Sequence, residues 1–280
     1  MIKKASLALA AAAALFVSVP ASASDIVFPG GGTLAQIMDG SAVGARTVIT
    51  LVNLDVVPAP YTLSFFNDGG SALTMSTTAG TGSALAGTIP VGGSVTIQTN
   101  GTNFVEGYAV VESFDAAGNP YYVAGSAVFG LTLPNGQFVE ATCPLDTGLD
   151  NTFVFPFDTT IDPLTGRGQF GVALANSFGD GVYQTAASVS ISLTALDQNG
   201  NTLVNDTISL PYGQHTLFLL GQRYPQIVGS RGVVAFSGST SGGSWYAIKA
   251  VGVRATDTTY TSVTPLAPCY TDWVADYLGC

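Results

Sequence analysis

The sequence is poor in charge, and most of its charge is acidic. Only 9% of its 280 residues are charged, with eight Lys and Arg against eighteen Asp and Glu. Binding to nucleic acid needs clustered cations that replace the counterions along the phosphates. Once Lys3 and Lys4 are set aside, the remaining six cations are spread from Arg46 to Arg254, and the formal charge changes from −10 to −12. This composition argues against DNA, RNA and anionic membranes as partners.

Long apolar runs are also missing. After the first two dozen residues, no segment offers the roughly twenty consecutive apolar residues that a membrane-spanning helix needs. The N-terminus does carry a shorter apolar stretch from Ala5 to Val19, between Lys3-Lys4 and Pro20-Ala21-Ser22-Ala23. This order is typical of a secretory signal peptide. We expect cleavage after Ala23 and a protein exported to the extracellular space, the cell surface or the periplasm.

Cysteine is scarce, and the chain has only Cys143, Cys269 and Cys280. An oxidising compartment allows two of them to pair. Cys269 and Cys280 would close a short loop, and a disulfide there would stabilise the C-terminal tail by about 3 kcal/mol on the chain-entropy model. We favour this pair, which leaves Cys143 without a disulfide partner in the chain. Pairing of Cys143 with either of the others stays open, because sequence alone does not fix connectivity.

Residues that carry chemistry are few and isolated. His215 is the only histidine, and neither a Gly-x-Ser-x-Gly elbow nor a Cys-His arrangement accompanies it. Asp146-Thr147-Gly148 matches the triplet of aspartic proteases, but those sites need two such loops and this chain has one. We interpret the triplet as a chain turn and His215 as a turn or strand-start position. We predict no enzyme activity, no cofactor and no metal site.

Two short segments resemble the start of a calcium loop. They are Asp197-Gln198-Asn199-Gly200-Asn201 and Asp115 to Asn119, and both lack the acidic residue that closes an EF-hand. Asp starts tight turns, and Gly or Asn takes the positive φ that such turns require. We therefore predict hairpin turns at both places.

What the sequence does have is a repeat. After residue 24 the same elements occur twice in the same order, at separations between 211 − 90 = 121 and 154 − 27 = 127 residues. The matched elements are Val27-Phe28-Pro29 with Val154-Phe155-Pro156, Asn53 with Asn176, Pro90 with Pro211, Gly107 with Gly232, and Tyr121-Tyr122 with Trp245-Tyr246. Ordered matches at a nearly constant separation indicate two copies of one fold.

Both copies have the pattern of short strands. Val189 to Asp197 alternates apolar and polar residues, as a half-buried strand does. Runs rich in β-branched and aromatic residues predict nine more strands: Arg46 to Leu54, Tyr61 to Phe66, Ser94 to Gln98, Gly107 to Ser113, Tyr121 to Phe129, Phe170 to Asn176, Thr216 to Leu220, Gly232 to Phe236 and Trp245 to Val253. About seven strands per copy, separated by turns, predict two tandem antiparallel β-sandwich domains of immunoglobulin-like type.

The domain boundaries follow from the repeat. We predict a signal peptide at 1–23, a first sandwich at 24–145, a second at 146–268 and a tail at 269–280. The segment from Cys143 to Asn151 contains Pro, Gly and acidic residues and is expected to join the copies. A short helix is expected from Thr271 to Gly279.

The aromatic pairs Tyr121-Tyr122 and Trp245-Tyr246 are candidate ligand contacts. An aromatic ring on a sandwich surface packs well against the apolar face of a sugar. Adjacent strand residues point to opposite faces, so one ring of each pair is expected in the core and the other at the surface. Core packing is the interpretation we favour.

Several motifs resemble those of a known group of proteins. They are Val154 to Phe157, Phe170 to Asn176, Asp197 to Leu203, Leu210 to Thr216 and Arg231 to Val233. The succession resembles secreted bacterial proteins of unknown function built from tandem immunoglobulin-like β-sandwich repeats. The likeness covers most of the second copy and, more loosely, the first, where Ser76 to Ala86 is an insertion. It implies fold and export, and it supplies no catalytic residues.

These observations lead to a functional expectation. We expect a non-enzymatic secreted or cell-surface protein with a structural or adhesive role. Its partner would be a surface polymer, an extracellular polymer or another protein. The alternative is a carbohydrate-binding protein that uses Tyr121, Tyr122, Trp245 or Tyr246.

Overall fold

The computed structural model describes residues 29–133, 136–148, 152–160, 168–177, 188–239, 248–256, 260–263 and 265. Within these ranges the chain is all β, and the strands pair antiparallel, as predicted. The only helical segments there are α1 (Leu220–Arg223) and two 3-10 turns, Ser41–Val43 and Pro225–Ile227. The strands are β1 (Gly31–Asp39), β2 (Arg46–Asn53), β3 (Ala59–Phe66), β4 (Met75–Thr77), β5 (Gly80–Gly82), β6 (Ala84–Ile89), β7 (Ser94–Gln98), β8 (Val105–Glu112), β9 (Val123–Thr132), β10 (Phe138–Asp146), β11 (Thr152–Asp158), β12 (Gln169–Asn176), β13 (Val189–Asp197), β14 (Thr202–Leu210), β15 (His215–Leu219), β16 (Arg231–Ser239), β17 (Ile248–Ala255) and β18 (Tyr260–Val263).

The strand with the clearest alternation is found where the sequence predicts it. β13 spans Val189–Asp197, and its apolar residues are buried, except for the partly buried Leu196, while Ser190 and Ser192 are exposed. The other nine predicted runs also fall on strands, although only residues 248–253 of the last run are described. A period of two places apolar side chains on one face of a sheet, which is why this signal is reliable.

The two copies have the same strand order. The first forms one eight-stranded sheet in the order β6-β3-β8-β1-β10-β9-β2-β7. The second forms two four-stranded sheets in the orders β14-β13-β16-β11 and β18-β17-β12-β15. Each strand of the second copy thus takes the place of one strand of the first. The additional β4–β5 hairpin lies within the inserted segment of the first copy and the residues before it.

One ladder distinguishes the copies. In the first, β1 pairs with β10 through Thr33 and Asp146 and through Leu34 and Leu145, which joins the two halves into a nearly closed, barrel-like sheet. The equivalent strands β11 and β18 form no ladder with each other in the described part of the chain.

The strand order also departs from the immunoglobulin pattern. In an immunoglobulin domain the consecutive strands F and G lie side by side in one sheet. Here β8 pairs with β1 and β3, whereas the following strand β9 pairs with β2 and β10. The sheets therefore show an all-β antiparallel fold without showing immunoglobulin-like domains.

The prediction that Cys143 to Asn151 joins the copies is wrong for the first four residues of that segment. Cys143 to Asp146 belongs to β10, where Cys143 pairs with Ala127 and Pro144 with Ser126. The Pro and acidic residues suggested a linker, but Pro144 lies within the ladder of β10 with β9 and its side chain is exposed. Of the predicted segment, only the part after Asp146 lies between strands.

Equivalent residues of the repeat have equivalent contacts. Asn53 donates from Nδ2 to the carbonyls of Ile89 and Pro90, and Asn176 donates from Nδ2 to the carbonyl of Leu210. The backbone N–H groups of the two asparagines donate to residues 93 and 214 at 3.0 and 2.9 Å. Both side chains are buried. Asn53 holds the turn before β7, and Asn176 holds the turn before β15.

The hydrophobic core has two main clusters. One is formed by residues between Leu34 and Leu145, and the other by residues between Phe153 and Ala250, with Val263 packed against it. The first cluster also includes Ala173, Val251 and Val253 of the second copy. The copies therefore share apolar contacts in addition to having their own cores.

The copies pack sheet against sheet. β1 contacts β12 and β17, and β10 contacts β17 and β18. All nine residues of β1 are buried, as are Phe170 to Asn176 of β12. A strand is buried on both faces only when a second layer covers its outer face, and here each copy covers the other. No helix in the described residues is long and apolar enough to cross a membrane.

Candidate functional site

The predicted ligand-contact aromatics are only partly within the described residues. Tyr121 and Tyr122 lie in the connection between β8 and β9. Tyr121 is half-buried and packs against the first core, whereas Tyr122 is 46% exposed. Trp245 and Tyr246 lie outside the described residues, so only the first pair is placed.

Tyr122 belongs to a group of exposed apolar side chains. The others are Leu54, Val56, Val57 and Val91, from the β2–β3 and β6–β7 connections, and we call this group the apolar tip. Val56 is the most exposed, at 84%. The Leu54 N–H donates to the Tyr122 carbonyl at 2.9 Å, and the Asn53 side chain holds the Val57 carbonyl at 2.8 Å. The apolar tip is therefore a defined surface at one end of the first copy.

The predicted disulfide also lies outside the described residues, because Cys269 and Cys280 do. Cys143 is a free thiol, 1% exposed, and its Sγ is 3.6 Å from the Pro144 carbonyl. Burial raises the pKa of the Cys143 thiol to about 12, because the thiolate would lose its hydration. Reactive cysteines are exposed and have low pKa values, so Cys143 is a packing residue.

His215 lies in the junction between the copies. Its side chain is fully buried, and its Nδ1 is 2.7 Å from Oδ1 of Asp68, which belongs to the loop after β3. The backbone N–H of His215 donates to the Asp68 carbonyl at 3.0 Å. Nε2 is buried and has no hydrogen-bond partner among the described residues. The ring therefore ties two copies together and does not stand beside a nucleophile in the described part of the chain.

Two residues of β8 complete this part of the junction. The Tyr108 hydroxyl donates to the Gly213 carbonyl at 2.6 Å, and its ring stacks on Phe66 and His215. Burial raises the pKa of Tyr108, so the hydroxyl stays protonated and remains a donor. The pKa of Glu106 is also raised, first by burial and then by the charge of Asp68, while His215 acts in the opposite direction.

The Asp146 triplet forms part of a second junction. Lys249 of β17 is 1% exposed, and its Nζ donates to Oδ1 of Asp146 at 2.8 Å and to the Gly148 carbonyl. The Gly148 N–H donates to the same Asp146 oxygen at 2.9 Å, which is the geometry of a turn. The Asp146 carboxylate is thus paired with the buried ammonium group of Lys249. Nearby, the hydroxyls of Thr33 and Ser177 lie 2.6 Å apart across the copies.

Both predicted turns are present; the Asp197 turn is a hairpin between the paired strands β13 and β14, whereas the Asp115 turn closes only the isolated bridge between Phe114 and Pro120. Oδ1 of Asp197 accepts the N–H groups of Asn199 and Asn201, both at 2.8 Å, and Oδ2 accepts the Asn201 side chain at 2.9 Å. Asp115 makes the same set of bonds with Ala117 and Asn119. The asparagine side chains, followed by the backbone donors, hold the pKa of both aspartates below its usual value. The two turns occupy different connections, β8–β9 and β13–β14.

No cluster of His, Cys, Asp or Glu suited to a metal ion is found in the part of the chain that the structure describes. What the structure brings together is instead the junction, with its ion pair, its His215–Asp68 bond and its hydroxyl contacts. The sequence singled out His215 and Asp146 for possible chemistry and gave no sign of their partners Asp68 and Lys249. Those partners are far away in sequence, and only the docking of the copies places them in contact.

Comparisons with known proteins found little. No protein-family model matches the chain, and no curated protein matches it. A candidate beta-galactosidase from Bacteroides fragilis is 10% identical, with 88% of this chain and 34% of that chain covered and a TM-score of 0.17. The chain therefore spans about a third of that protein. A lectin from Pleurotus ostreatus, solved with GalNAc, is 12% identical over 86% of this chain and 80% of its own, with a TM-score of 0.14. Similarities this low carry no argument about fold or activity.

Proposed function

We propose that this chain is a non-enzymatic exported protein with a structural or adhesive role at the cell surface or outside the cell. Its two β-sandwich copies would act as tandem domains comparable in use to immunoglobulin-like modules. The observation that carries the proposal is the junction, where the buried Lys249 pairs with Asp146 and the buried His215 bonds to the half-exposed Asp68, which holds the copies together.

The junction supports this role because it fixes the distance between the two copies. Inter-domain contacts that bury little apolar surface allow relative motion. Here β1 and most of β12 are buried on both faces, and four polar ties cross between copies. The ties are Lys249–Asp146, His215–Asp68, Tyr108–Gly213 and Thr33–Ser177. A rigid double unit transmits force and presents its end loops at a constant spacing.

The apolar tip is the contact surface that we assign to the adhesive role. Its valines and Leu54 are on loops, and loops on a rigid scaffold are where such folds place binding residues. Large exposed apolar side chains grouped together mark interaction sites more often than isolated ones do. The two residues that the sequence singled out for possible chemistry have structural contacts instead, since Asp146 binds Lys249 and His215 is buried.

The proposal is tested by fractionating the native host with a tagged full-length chain. We expect the protein in the envelope or medium fraction, where a surface polymer or another protein co-purifies with it. Val56→Ser in the apolar tip should reduce that co-purification, and Val228→Ser, at a 60% exposed position of the second copy, is the matched control. A cytoplasmic location contradicts export. Hydrolysis of a peptide, ester or glycoside that is lost in Asp146→Ala contradicts the non-enzymatic role.

A second candidate function is carbohydrate binding through the aromatic pairs, and the exposure of Tyr122 is the observation that favours it. Tyr122→Ala should then abolish retention on an insoluble polysaccharide. Because Tyr121 is half-buried, Tyr121→Ala should act mainly on stability. Retention that survives Tyr122→Ala and Trp245→Ala would eliminate these residues as the contacts.

A further inference from the structure

A groove with a mixed polar and apolar lining opens at one end of the first copy. It lies beside the last residues of β1, β7 and β9 and the first residues of β2 and β10, and its volume is about 380 Å³. A volume of roughly 300 Å³ or more is usual for sites that bind small molecules. The groups used in the argument below are Asp39, Arg46, Gln98, Asn100, Thr132 and Phe138.

The second copy provides an internal comparison. Gly107 pairs with Ile37 across β8 and β1, and its equivalent Gly232 pairs with Phe157 across β16 and β11. Two residues further along the chain, the first copy has Asp39 and the second has Thr159. The Thr159 hydroxyl donates to the Ser230 carbonyl at 3.0 Å, so this position is neutral and satisfied by backbone. The same position therefore holds an acid in the first copy and a structural hydroxyl in the second.

The same end of the second copy has a smaller pocket, of about 290 Å³, lined by Gly171, Leu217, Phe218, Leu219, Gln222, Val253 and Ala255. After β15 the chain forms α1 and the 3-10 turn Pro225–Ile227, and it buries Leu220, Tyr224 and Ile227 in the second core. After β7, the equivalent strand, the chain instead lines the groove with Thr99, Asn100 and Gly101. The two pockets differ in their lining, because the groove of the first copy contains Asp39 and Arg46 whereas no charged residue lines the pocket of the second.

Asp39 is a buried acid without a cation. It is 3% exposed, and its two carboxylate oxygens accept the same Gly101 N–H, at 3.1 and 2.9 Å. No Lys, Arg or His lies within ion-pair distance of it among the described residues. A carboxylate has about four acceptor positions, so one N–H leaves most of them unused. Burial of such a group is costly unless something binds to it.

The backbone is shaped to hold Asp39 in the groove wall. A Cβ atom on Gly101 would lie 2.2 Å from Oδ2 of Asp39, so only glycine permits this contact. Gly44, with φ +66°, would place a Cβ 2.1 Å from the Thr132 hydroxyl. Both close approaches make the groove a rigid feature.

Arg46 is the second charged residue that lines the groove. Its guanidinium lies over the Phe138 ring, 4.1 Å from the ring centre. No carboxylate lies within ion-pair distance of Arg46 in the described part of the chain. Stacking on an aromatic ring fixes the guanidinium plane and leaves its N–H groups free to point outward. The groove lining therefore contains fixed donors as well as a fixed acceptor.

The geometry points to a neutral glycan as the ligand of this groove. Sugar hydroxyls both donate and accept, so neighbouring hydroxyls satisfy Asp39 and Arg46 together, and Gln98, Asn100 and Thr132 add further partners at the rim. An anionic ligand would be repelled by the negative charge of Asp39 and by a chain whose formal charge is −10. A nucleic acid would find only one arginine here.

This inference does not depend on the adhesive role or on the aromatic pairs. Tyr121 and Tyr122 precede the start of β9, whereas the groove lies at the end of β9, on the opposite end of the first copy. The two surfaces can therefore be tested separately.

The test is affinity gel electrophoresis of the purified mature protein. Soluble neutral polysaccharides, namely a glucan, a galactomannan and a xylan, serve as probes, and alginate serves as an anionic comparison. We expect at least one neutral probe to retard the protein. Arg46→Ala and Asp39→Asn should each weaken that binding about tenfold or more, the usual effect of losing a hydrogen bond to a charged group. Arg254→Ala, an exposed arginine of the second copy, is the matched control.

Thermal unfolding of each variant separates loss of binding from loss of fold, and Arg46 is exposed, so Arg46→Ala should fold normally. Failure of every neutral probe overturns the inference, as does retardation by alginate alone. Retardation that is unchanged in folded Arg46→Ala and Asp39→Asn also overturns it. Retardation lost in Tyr122→Ala instead would move the site to the apolar tip.

Discussion

At the scale of single residues, the few charged side chains are the most informative part of the molecule. Asp115 and Asp197 are surface acids held by turn donors, and their pKa values are lowered by the asparagines four residues later. A lowered pKa means that their contribution to stability is present at neutral pH and is lost as the pH falls through the folded-state pKa. Glu106 has the opposite behaviour, because burial raises its pKa.

We predict that Glu106→Gln stabilises the protein at neutral pH. With a raised pKa, the folded protein binds the Glu106 proton more tightly than the unfolded chain, so stability falls as the pH rises from about the ordinary value of 4.5 through the folded-state pKa. Glutamine cannot ionise and avoids this loss. Urea unfolding should show a higher free energy of unfolding for the variant at pH 7.5, with the difference vanishing near pH 4.

Glu112→Gln, at the exposed end of the same strand, is the control for that measurement and should show a smaller pH-dependent difference. A Glu106→Gln effect of equal size at both pH values would show that the charge of Glu106 is not the cause.

At the scale of elements, the sequence predicts strands well when one face is buried and poorly otherwise. β13 alternates strictly and was predicted with its observed ends. β1 was not predicted, because both of its faces are buried and its sequence GGTLAQIMD has no alternation. β11 contains Pro156, which suits an edge strand but weakens the signal. In β14, Asn205 and Asp206 resemble a turn although they lie on the exposed side.

The equivalent glycines of the repeat are required for a steric reason that the sequence does not reveal. A Cβ on Gly107 would lie 1.9 Å from the Phe66 carbonyl oxygen, and one on Gly232 would lie 1.8 Å from that of Leu196. Each glycine lets two neighbouring strands approach closely. The match between Gly107 and Gly232 thus marks the same crowded strand contact in both copies.

We predict that Gly107→Ala and Gly232→Ala each destabilise the protein by about 3 kcal/mol, because backbone must move to admit the methyl group. Gly118→Ala is the control, since its added Cβ meets nothing within 4 Å, and its positive φ should cost about 1 kcal/mol. Chemical denaturation measures all three. Equal losses in the three variants would show that strand crowding is not the cause.

At the scale of the whole molecule, the junction decides how the two copies behave. Lys249 is the most telling residue, because a lysine that is 1% exposed is retained only when its charge is paired. Its partner Asp146 is 19% exposed at the side chain, so part of the pair still contacts water. The pair lies between β17 of the second copy and the end of β10 in the first.

We predict that Lys249→Met destabilises the protein by about 3 kcal/mol, since it leaves Asp146 and the Gly148 carbonyl without their donor. Arg231→Ala, which removes an exposed ion pair with Asp158, should cost at most about 1 kcal/mol. Urea unfolding monitored by tryptophan fluorescence and by circular dichroism compares them. If Lys249→Met costs no more than Arg231→Ala, the junction is not held by this pair.

The sequence by itself determined the strand content, the duplication and the turn chemistry. These depend on local patterns, namely the alternation in β13, the repeated Asn53 and Asn176, and the Asp-to-Asn spacing of the turns. Only the tertiary structure decided which strands pair, how the copies dock and which residues line the pocket at the corresponding end of each copy. Those features depend on contacts between residues distant in the chain, such as His215 with Asp68 and Lys249 with Asp146, for which no local pattern exists.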